Sequence, residues 1–253
     1  FIEFKIKKKN KIIKKQLKVL LKENNQIIRS LTNKYNNSFN SKSLLKFKKI
    51  KNYRIIGMGG STLGSQAIYD FLKHKIKKKF YFLDNLNSNC KKFPDSDNLN
   101  IIISKSGNTL ETIVNSNIYI KKKHNNIFIT EDKKSYIHIL AEKLKAEVIH
   151  HNNFIGGRYS VLSEVGMLPA ELMGLNSSEF RQLNNLIKNK NFLNHLIGNV
   201  ESIIYFLKNK KFNSIILNYD EKSTNLFNWY QQLVAESLGK KNLGILPVIS
   251  CMP

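Results

Sequence analysis

From residue 53 onward, short apolar segments alternate with segments of helical periodicity. Strands are predicted at 53–56, 80–83, 101–103, 126–130 and 147–150, with helices between them at 64–73, 109–122 and 135–144. Strands that are separated by helices run parallel, because a parallel pair needs a crossover long enough to hold one. The pattern therefore predicts an α/β chain with a doubly wound, mostly parallel sheet flanked by helices.

The periodicity divides the chain into four regions. We expect a helical lead-in at 1–44 with a helix over 11–36, a first α/β domain at 45–160, a helical connection at 161–208, and the start of a second α/β domain at 209–253. Helices are predicted at 163–173, 178–189, 192–207 and 224–238, and strands at 214–218 and 244–249. The chain begins with Phe1 and stops at Pro253 just after an apolar stretch. We therefore expect a fragment whose second domain is incomplete.

Charge is the outlying feature of the composition. The chain has 42 Lys and Arg against 18 Asp and Glu, a net charge of +24, yet only four of the basic residues are arginine. Proteins that bind nucleic acids usually use arginine for bidentate contacts to phosphates and bases. Lysine is instead spread along the whole chain, which is typical of a solvated surface and would attract anionic substrates. We expect neither a nucleic-acid partner nor a membrane span.

The first candidate for chemistry is a glycine-rich segment, 57–61, between a strand and a helix. Glycines let the backbone approach an anion, and a helix start presents N–H groups and the positive end of its dipole. A plain tight turn explains this segment equally well, and its spacing departs from the dinucleotide-binding fingerprint.

The second candidate, Ser104-Lys105-Ser106-Gly107-Asn108-Thr109, follows the strand at 101–103 and opens the next helix. Hydroxyls, an ammonium and backbone amides at a helix N-terminus suit a phosphate. The alternative is an ordinary capped helix start. In an open α/β sheet both loops would converge on one crevice, which favours a phosphate site.

Two further segments carry charged side chains. Arg158 lies between Gly157 and Tyr159, and its guanidinium could hold developing oxyanion charge; the alternative, which we favour less, is an ion pair at a domain junction. Gln232 and Glu236 share one face of the predicted helix at 224–238, beside a core stripe that includes Tyr230. A carboxylate there suits a general base, while the plain alternative is a surface glutamate.

The histidines and cysteines suggest no metal site. The six histidines lack paired ligand spacing, and Cys90 and Cys251 are far apart without a CxxC motif. We expect no metal and no cofactor, and a reducing, cytoplasmic location.

Taken together, the motifs Gly-Met-Gly-Gly-Ser (57–61), Ser-Lys-Ser-Gly-Asn-Thr (104–109), Gly-Gly-Arg-Tyr-Ser-Val (156–161) and Gln-Leu-Val-Ala-Glu-Ser (232–237) resemble, in order, the phosphoglucose isomerase family of sugar isomerase (SIS) fold. The first two motifs are shared by SIS domains in general, and the last two are more specific to this family. The resemblance covers the chain from about residue 50. It implies two SIS-type domains, the second of them truncated.

The resemblance also implies an activity, namely interconversion of glucose 6-phosphate and fructose 6-phosphate through an enediolate. Its implied assignments are Gly60 and Ser61 bordering the sugar, Ser104, Lys105, Ser106 and Thr109 holding the phosphate, Arg158 stabilising the enediolate, Gln232 binding the substrate, and Glu236 moving the proton. It further implies a sugar-phosphate ligand and a homodimer with active sites at the interface. A ring-opening histidine and a lysine on a C-terminal helix would lie beyond Pro253, so we expect this chain alone to be poorly active.

Two alternatives to a glucose-specific isomerase follow from the same residues. Gly107 and Asn108 stand where the family usually has a bulkier residue and a threonine, a variant closer to bacterial or archaeal relatives, some of which also accept mannose 6-phosphate. A dual phosphoglucose/phosphomannose isomerase therefore stays open. A non-catalytic SIS module that binds a sugar phosphate is the other alternative, although it would not need Arg158 or Glu236.

Overall fold

The computed structural model describes residues 11–23, 25–86, 93, 98–240 and 243–251. The first ten residues of the predicted lead-in and Cys90 lie outside this part of the chain. Within it, no helix is long and apolar enough to cross a membrane.

The larger sheet has five parallel strands, as the alternation predicts. They are β1 (Asn52–Ile56), β2 (Lys79–Leu83), β3 (Asn98–Ile103), β4 (Asn125–Thr130) and β5 (Glu147–His150), arranged in the order β2-β1-β3-β4-β5. The strand order reverses between β1 and β3. In an open parallel sheet the connections leave this point toward opposite faces, and a crevice forms beyond the carboxyl ends of the strands.

Helices cover both faces of this sheet. The α-helices of the chain are α1 (Lys11–Lys22), α2 (Gln26–Ser30), α3 (Leu63–Phe71), α4 (Leu110–Tyr119), α5 (Tyr136–Lys143), α6 (Glu164–Leu172), α7 (Leu183–Leu186), α8 (Lys190–Lys208) and α9 (Thr224–Leu238). Short 3₁₀ helices occur at Ser43–Phe47, Gly59–Ser61, Lys73–Lys75, Gly157–Leu162, Ser177–Phe180 and Glu221–Ser223.

Side-chain alternation along the strands builds two cores. Tyr53 and Ile55 of β1 face one side, where they pack with residues of α3 and α6, whereas Ile56 faces α5 on the other side. All six residues of β3 are buried, as expected for a central parallel strand. The first core also includes Phe39 and the apolar side chains of α6, which the sequence division placed outside 45–160.

The predicted single helix over 11–36 is wrong. The chain forms two helices, and the Asn25 side chain accepts a hydrogen bond from the Ile27 backbone N–H at 2.8 Å, which caps the second of them. The second helix ends at Ser30. Beyond it Tyr35 is only 6% exposed and donates to Glu164 in a buried hydrogen bond, so tertiary contacts determine this segment rather than helical periodicity.

The predicted helix over 178–189 is also interrupted. Arg181 separates the 3₁₀ helix at Ser177–Phe180 from α7 with a non-helical ψ of 63°. Its buried guanidinium donates to the carbonyl oxygen of Leu162, from Nε at 3.0 Å and from Nη2 at 2.9 Å. The arginine is thus committed to a contact with a distant loop. The predicted helices that became α6 and α8 are confirmed.

A second, smaller unit consists of β6 (Asn213–Asn218), α9 and β7 (Leu246–Cys251), and its two strands run parallel. Helix α9 packs against α3 of the first unit. Leu226, Trp229 and Leu233 of α9 line an apolar cavity of about 610 Å³ at this junction. Tyr230 is 37% exposed, so its predicted place in the core stripe of the helix is wrong.

Candidate active site

The two predicted loops leave neighbouring strands at the point where the strand order reverses. Gly57 follows β1, and its N–H donates to the carbonyl oxygen of Leu83 at the end of β2. A Cβ on Gly57 would lie 2.9 Å from the carbonyl oxygen of Ile103, the last residue of β3. The backbone at 57–61 therefore lies directly beside the start of the 104–109 loop, as the sequence predicts.

Internal hydrogen bonds shape the 104–109 loop. The Oγ of Ser104, which is 2% exposed, accepts from the Gly107 N–H at 3.1 Å and lies 3.1 Å from Oγ1 of Thr109. Gly107 has a φ of +69°, a conformation that glycine adopts without strain. Thr109 immediately precedes α4. Hydroxyl and amide donors thus gather at the positive end of a helix, which suits an anion.

The ammonium of Lys105 has other partners. Its Nζ donates to the carbonyl oxygens of Asn153 at 2.8 Å and Ile155 at 3.1 Å, and lies 3.5 Å from a carboxylate oxygen of Glu131. The side chain joins the 104–109 loop to residues 151–163, the segment that carries Arg158 (the arginine segment). In this arrangement, the Lys105 ammonium contacts the Asn153 and Ile155 carbonyl oxygens and Glu131 rather than other side chains of the 104–109 loop.

Glycines allow the 57–61 loop to meet two distant parts of the chain. A Cβ on Gly59, which has a φ of +54°, would lie 2.8 Å from Nε2 of Gln232. A Cβ on Gly60 would lie 2.4 Å from the Gly157 carbonyl group and 2.8 Å from the Arg158 nitrogen. A side chain at 59 would displace the end of Gln232, whereas one at 60 would force two backbone segments apart. The close approach brings the 57–61 loop, the arginine segment and α9 to one place.

Arg158 contacts a cluster of polar side chains on α9. Its Nη1 lies 3.4 Å from Oε2 of Glu236, and its Nε donates to Oγ of Ser237 at 3.0 Å. The hydroxyls of Tyr159 and Ser237 are 2.8 Å apart. Gln232 Nε2 donates to the other carboxylate oxygen of Glu236 at 2.8 Å. A guanidinium and a carboxylate therefore stand side by side, with the carboxylate still exposed to solvent.

The cluster favours a charged arginine. Its hydrogen bond with Tyr159, opposed by partial burial and aided by Glu236, raises the pKa of Arg158 above its ordinary value. Partial burial raises the pKa of Tyr159, but hydrogen bonds with Ser237 and Arg158 lower it by more. The pKa of Tyr159 therefore lies below its ordinary value. The arginine thus supplies a fixed positive charge beside the carboxylate.

A sequence model of phosphoglucose isomerase matches residues 7–244, most of the chain. The chain belongs to the phosphoglucose isomerase family. Among curated proteins, it is 34% identical to the glucose-6-phosphate isomerase of Methanocaldococcus jannaschii over 82% of this chain and 56% of the relative. It is 29% identical to that of Campylobacter jejuni over 79% of this chain and 54% of the relative. The chain thus spans about half the length of these relatives.

Solved structures confirm the SIS-type α/β fold of this phosphoglucose isomerase family member. A hypothetical protein from Thermus thermophilus superposes with a TM-score of 0.74 at 20% identity, over 95% of this chain and 64% of that one. The tagatose-6-phosphate ketose/aldose isomerase of Escherichia coli gives a TM-score of 0.55 at 17% identity, over 83% of this chain and 60% of that one. At these identities the likeness concerns the fold alone.

The fold gathers the predicted site residues of this family member into two groups. One group forms the 104–109 loop, and the other joins Gly60 and Arg158 to Gln232 and Glu236. Ser61 is the last residue of the 3₁₀ helix in the 57–61 loop. Ser106 is exposed, and its Oγ accepts a hydrogen bond from the Asn108 N–H at 3.2 Å. The roles of these residues stay predictions.

Sequence reasoning missed two hydroxyl partners of the arginine. Ser237 and Tyr159 lie next to predicted residues, yet no local signal shows that they face one another, because they are 78 positions apart in the chain. The same reasoning assigned no role to His151. This histidine is 1% exposed and lies at the start of the arginine segment, with Nδ1 3.8 Å from Oε1 of Glu164.

Burial of His151 predicts a pH-dependent stability. Burial, only partly opposed by Glu164, lowers the pKa of His151 below its ordinary value of 6.5. The unfolded chain then takes up a proton at a pH where the folded chain does not, so stability is complete above about pH 7 and falls as the pH drops through 6.5 toward the folded pKa. We expect His151→Asn to reduce this fall between about pH 7 and pH 5 in urea unfolding. The control is the exposed neighbour His150. If His150→Asn reduced the fall in stability as much as His151→Asn does, the assignment to His151 would be wrong.

Proposed function

We propose that the protein interconverts glucose 6-phosphate and fructose 6-phosphate, and that this chain supplies the phosphate cradle, the oxyanion-stabilising cation and the base. The observation that carries the proposal is the contact between Arg158 and Glu236, whose charged atoms are 3.4 Å apart. The contact lies beside the 57–61 loop. Membership of the phosphoglucose isomerase family supports the same reaction.

The phosphate is assigned to the 104–109 loop. Hydroxyl groups of Ser104, Ser106 and Thr109, with the amides at the start of α4, offer donors to a dianionic group. Binding energy from this remote group orients the reacting carbons, which is how an enzyme uses a part of the substrate that does not react. Gly60 and Ser61 of the neighbouring loop then border the sugar.

The reaction needs a base and a positive charge next to each other. Glu236 removes the proton from C2 of the open-chain aldose, exchanges part of it with solvent and delivers a proton to C1, while a hydroxyl proton moves from O2 to O1; the intervening enediolate carries negative charge on its oxygens. Arg158 stabilises that charge, and Gln232 orients the carboxylate through its hydrogen bond to Oε1. General acid–base catalysis of this kind typically contributes about 10²–10⁴-fold to a rate.

The remaining features belong to the whole protein. We infer a homodimer with active sites at the interface and a cytoplasmic location. These inferences rest on the family resemblance. The choice between glucose alone and both glucose and mannose 6-phosphates rests on the Gly107 and Asn108 variant of the phosphate loop.

The test follows the reaction in deuterated water by NMR, with glucose 6-phosphate, fructose 6-phosphate and mannose 6-phosphate as separate substrates. We expect both glucose 6-phosphate and fructose 6-phosphate to be isomerised, and fructose 6-phosphate to give glucose 6-phosphate that carries deuterium at C2. Conversion of mannose 6-phosphate as well would favour the dual isomerase.

Erythrose 4-phosphate, which cannot close the six-membered ring of glucose 6-phosphate, is included so that ring opening does not limit the outcome. Binding of sugar phosphates without any exchange of carbon-bound protons in this substrate would contradict catalysis and favour the non-catalytic module.

A further inference from the structure

The segment that carries Arg158 has little regular structure of its own. It runs from His151, just after β5, to Ser163, just before α6, and contains only a 3₁₀ helix. A guanidinium must nevertheless be placed to within a fraction of an ångström to stabilise charge in a transition state. Contacts from outside the segment must therefore fix its course.

Glu164, which follows the segment, makes two such contacts. It is 0% exposed, and each of its two carboxyl oxygens accepts a hydrogen bond. Oε1 accepts from the backbone N–H of Asn152 at 2.7 Å, and Oε2 accepts from the Tyr35 hydroxyl at 2.8 Å. The first bond ties the two ends of the arginine segment together, because Asn152 is its second residue and Glu164 directly follows its last.

The second bond anchors this pair to the N-terminal region. Burial and the neighbouring Glu164 raise the pKa of Tyr35, which keeps its hydroxyl protonated and able to donate. The guanidinium of Arg181 lies over the Tyr35 ring at 5.1 Å and donates to the Leu162 carbonyl oxygen. The carboxyl group is thus at the centre of a buried cluster that holds both ends of the segment.

We propose that Glu164 is a positioning residue for Arg158: it fixes the arginine segment so that the guanidinium faces the enediolate oxygens. This inference rests on the proposed function of Arg158, and it adds a residue that the recognised motifs do not assign. The effect depends on the reach of the side chain, since its two polar atoms must meet the Asn152 N–H and the Tyr35 hydroxyl at once. It does not depend on negative charge at the reacting atoms.

The test compares two ligands that share a phosphate. Arabinonate 5-phosphate carries a planar carboxylate that imitates the enediolate, whereas arabinitol 5-phosphate lacks it. The measured quantity is the ratio of their dissociation constants by calorimetry, together with the unfolding midpoint of each variant. Loss of fold or of the phosphate cradle weakens both ligands in parallel, but misplacement of Arg158 weakens the acid alone.

Glu164→Asp keeps the carboxyl group but shortens its reach, and we expect it to lower the preference for the acid by about tenfold, which corresponds to roughly 1.4 kcal/mol. Glu164→Gln keeps the reach, because its amide oxygen can accept from the Asn152 N–H while its amide nitrogen donates to the Tyr35 hydroxyl oxygen, and we expect it to stay within about twofold of the unchanged protein. The matched control is Glu171→Asp on the same helix, whose carboxylate accepts from Ser177 instead. An unchanged preference in the Asp variant, or an equal loss in the Gln variant, would overturn the proposal.

Two controls separate this inference from the proposed function. If the unchanged protein shows no preference for the acid, and Arg158→Met alters nothing, the assignment of Arg158 itself fails. If Arg158→Met removes the preference but Glu164→Asp does not, the positioning role alone fails. Should the Asp variant not fold, Tyr35→Phe replaces it, with an expected loss of about threefold; no loss would then overturn the role of the cluster.

Discussion

Replacing Glu236 by glutamine is expected to lower the isomerisation rate by roughly 10²–10⁴-fold while sugar-phosphate binding stays nearly unchanged. Glutamine keeps the size of the side chain and can still accept the hydrogen bond from Gln232, which is 2.8 Å from the carboxylate at present. What it loses is the ability to take up a proton from carbon. Turnover in deuterated water and calorimetric binding of arabinitol 5-phosphate measure the two effects separately.

The matched control is Glu221→Gln, which removes an exposed carboxylate from the 3₁₀ turn just before α9. It changes the net charge by the same amount and is expected to leave turnover unchanged. A Glu236→Gln variant that retains most of its turnover would show that another group removes the proton, and the assignment of the base would then be wrong.

The second large effect is expected from Gly60→Ala. The added methyl group would lie 2.4 Å from the carbonyl carbon and oxygen of Gly157 and 2.8 Å from the Arg158 nitrogen. These are backbone atoms that cannot rotate away, so the two loops must separate. Overpacking of this kind costs about 1–3 kcal/mol, which corresponds to a fall of roughly 2–12 °C in the unfolding midpoint.

The same displacement should impair catalysis more than stability, because it moves Arg158 away from the 57–61 loop. A shift of about 1 Å in a catalytic group can cost on the order of 100-fold in rate. Gly157→Ala is the matched control for stability, since a Cβ there has no described atom within 4 Å apart from those of residues 156–158. Differential scanning calorimetry of both variants should separate them, and equal midpoints would contradict the close contact.

The parallel sheet and its two loops were predictable because their signals are local. The buried strand β3 ends in an apolar run at 101–103, and glycines or hydroxyl residues mark the loops that follow β1 and β3. Parallel strands end at a common edge, so the position of each loop in the chain places it in space. The failures have a common cause as well. Periodicity over 11–36 and 178–189 ignored Tyr35 and Arg181, whose tertiary contacts override helical propensity.

By itself, therefore, the sequence determined the family, the α/β fold and the residue types of the candidate site, because motifs and hydrophobic periods are properties of neighbouring residues. Only the tertiary structure decided which side chains meet. It brought Arg158 to Glu236 across 78 positions, directed the Lys105 ammonium to the carbonyls of the arginine segment, and buried Glu164 beneath that segment. Such contacts depend on how helices and loops from separate parts of the chain pack, and no local pattern encodes that geometry.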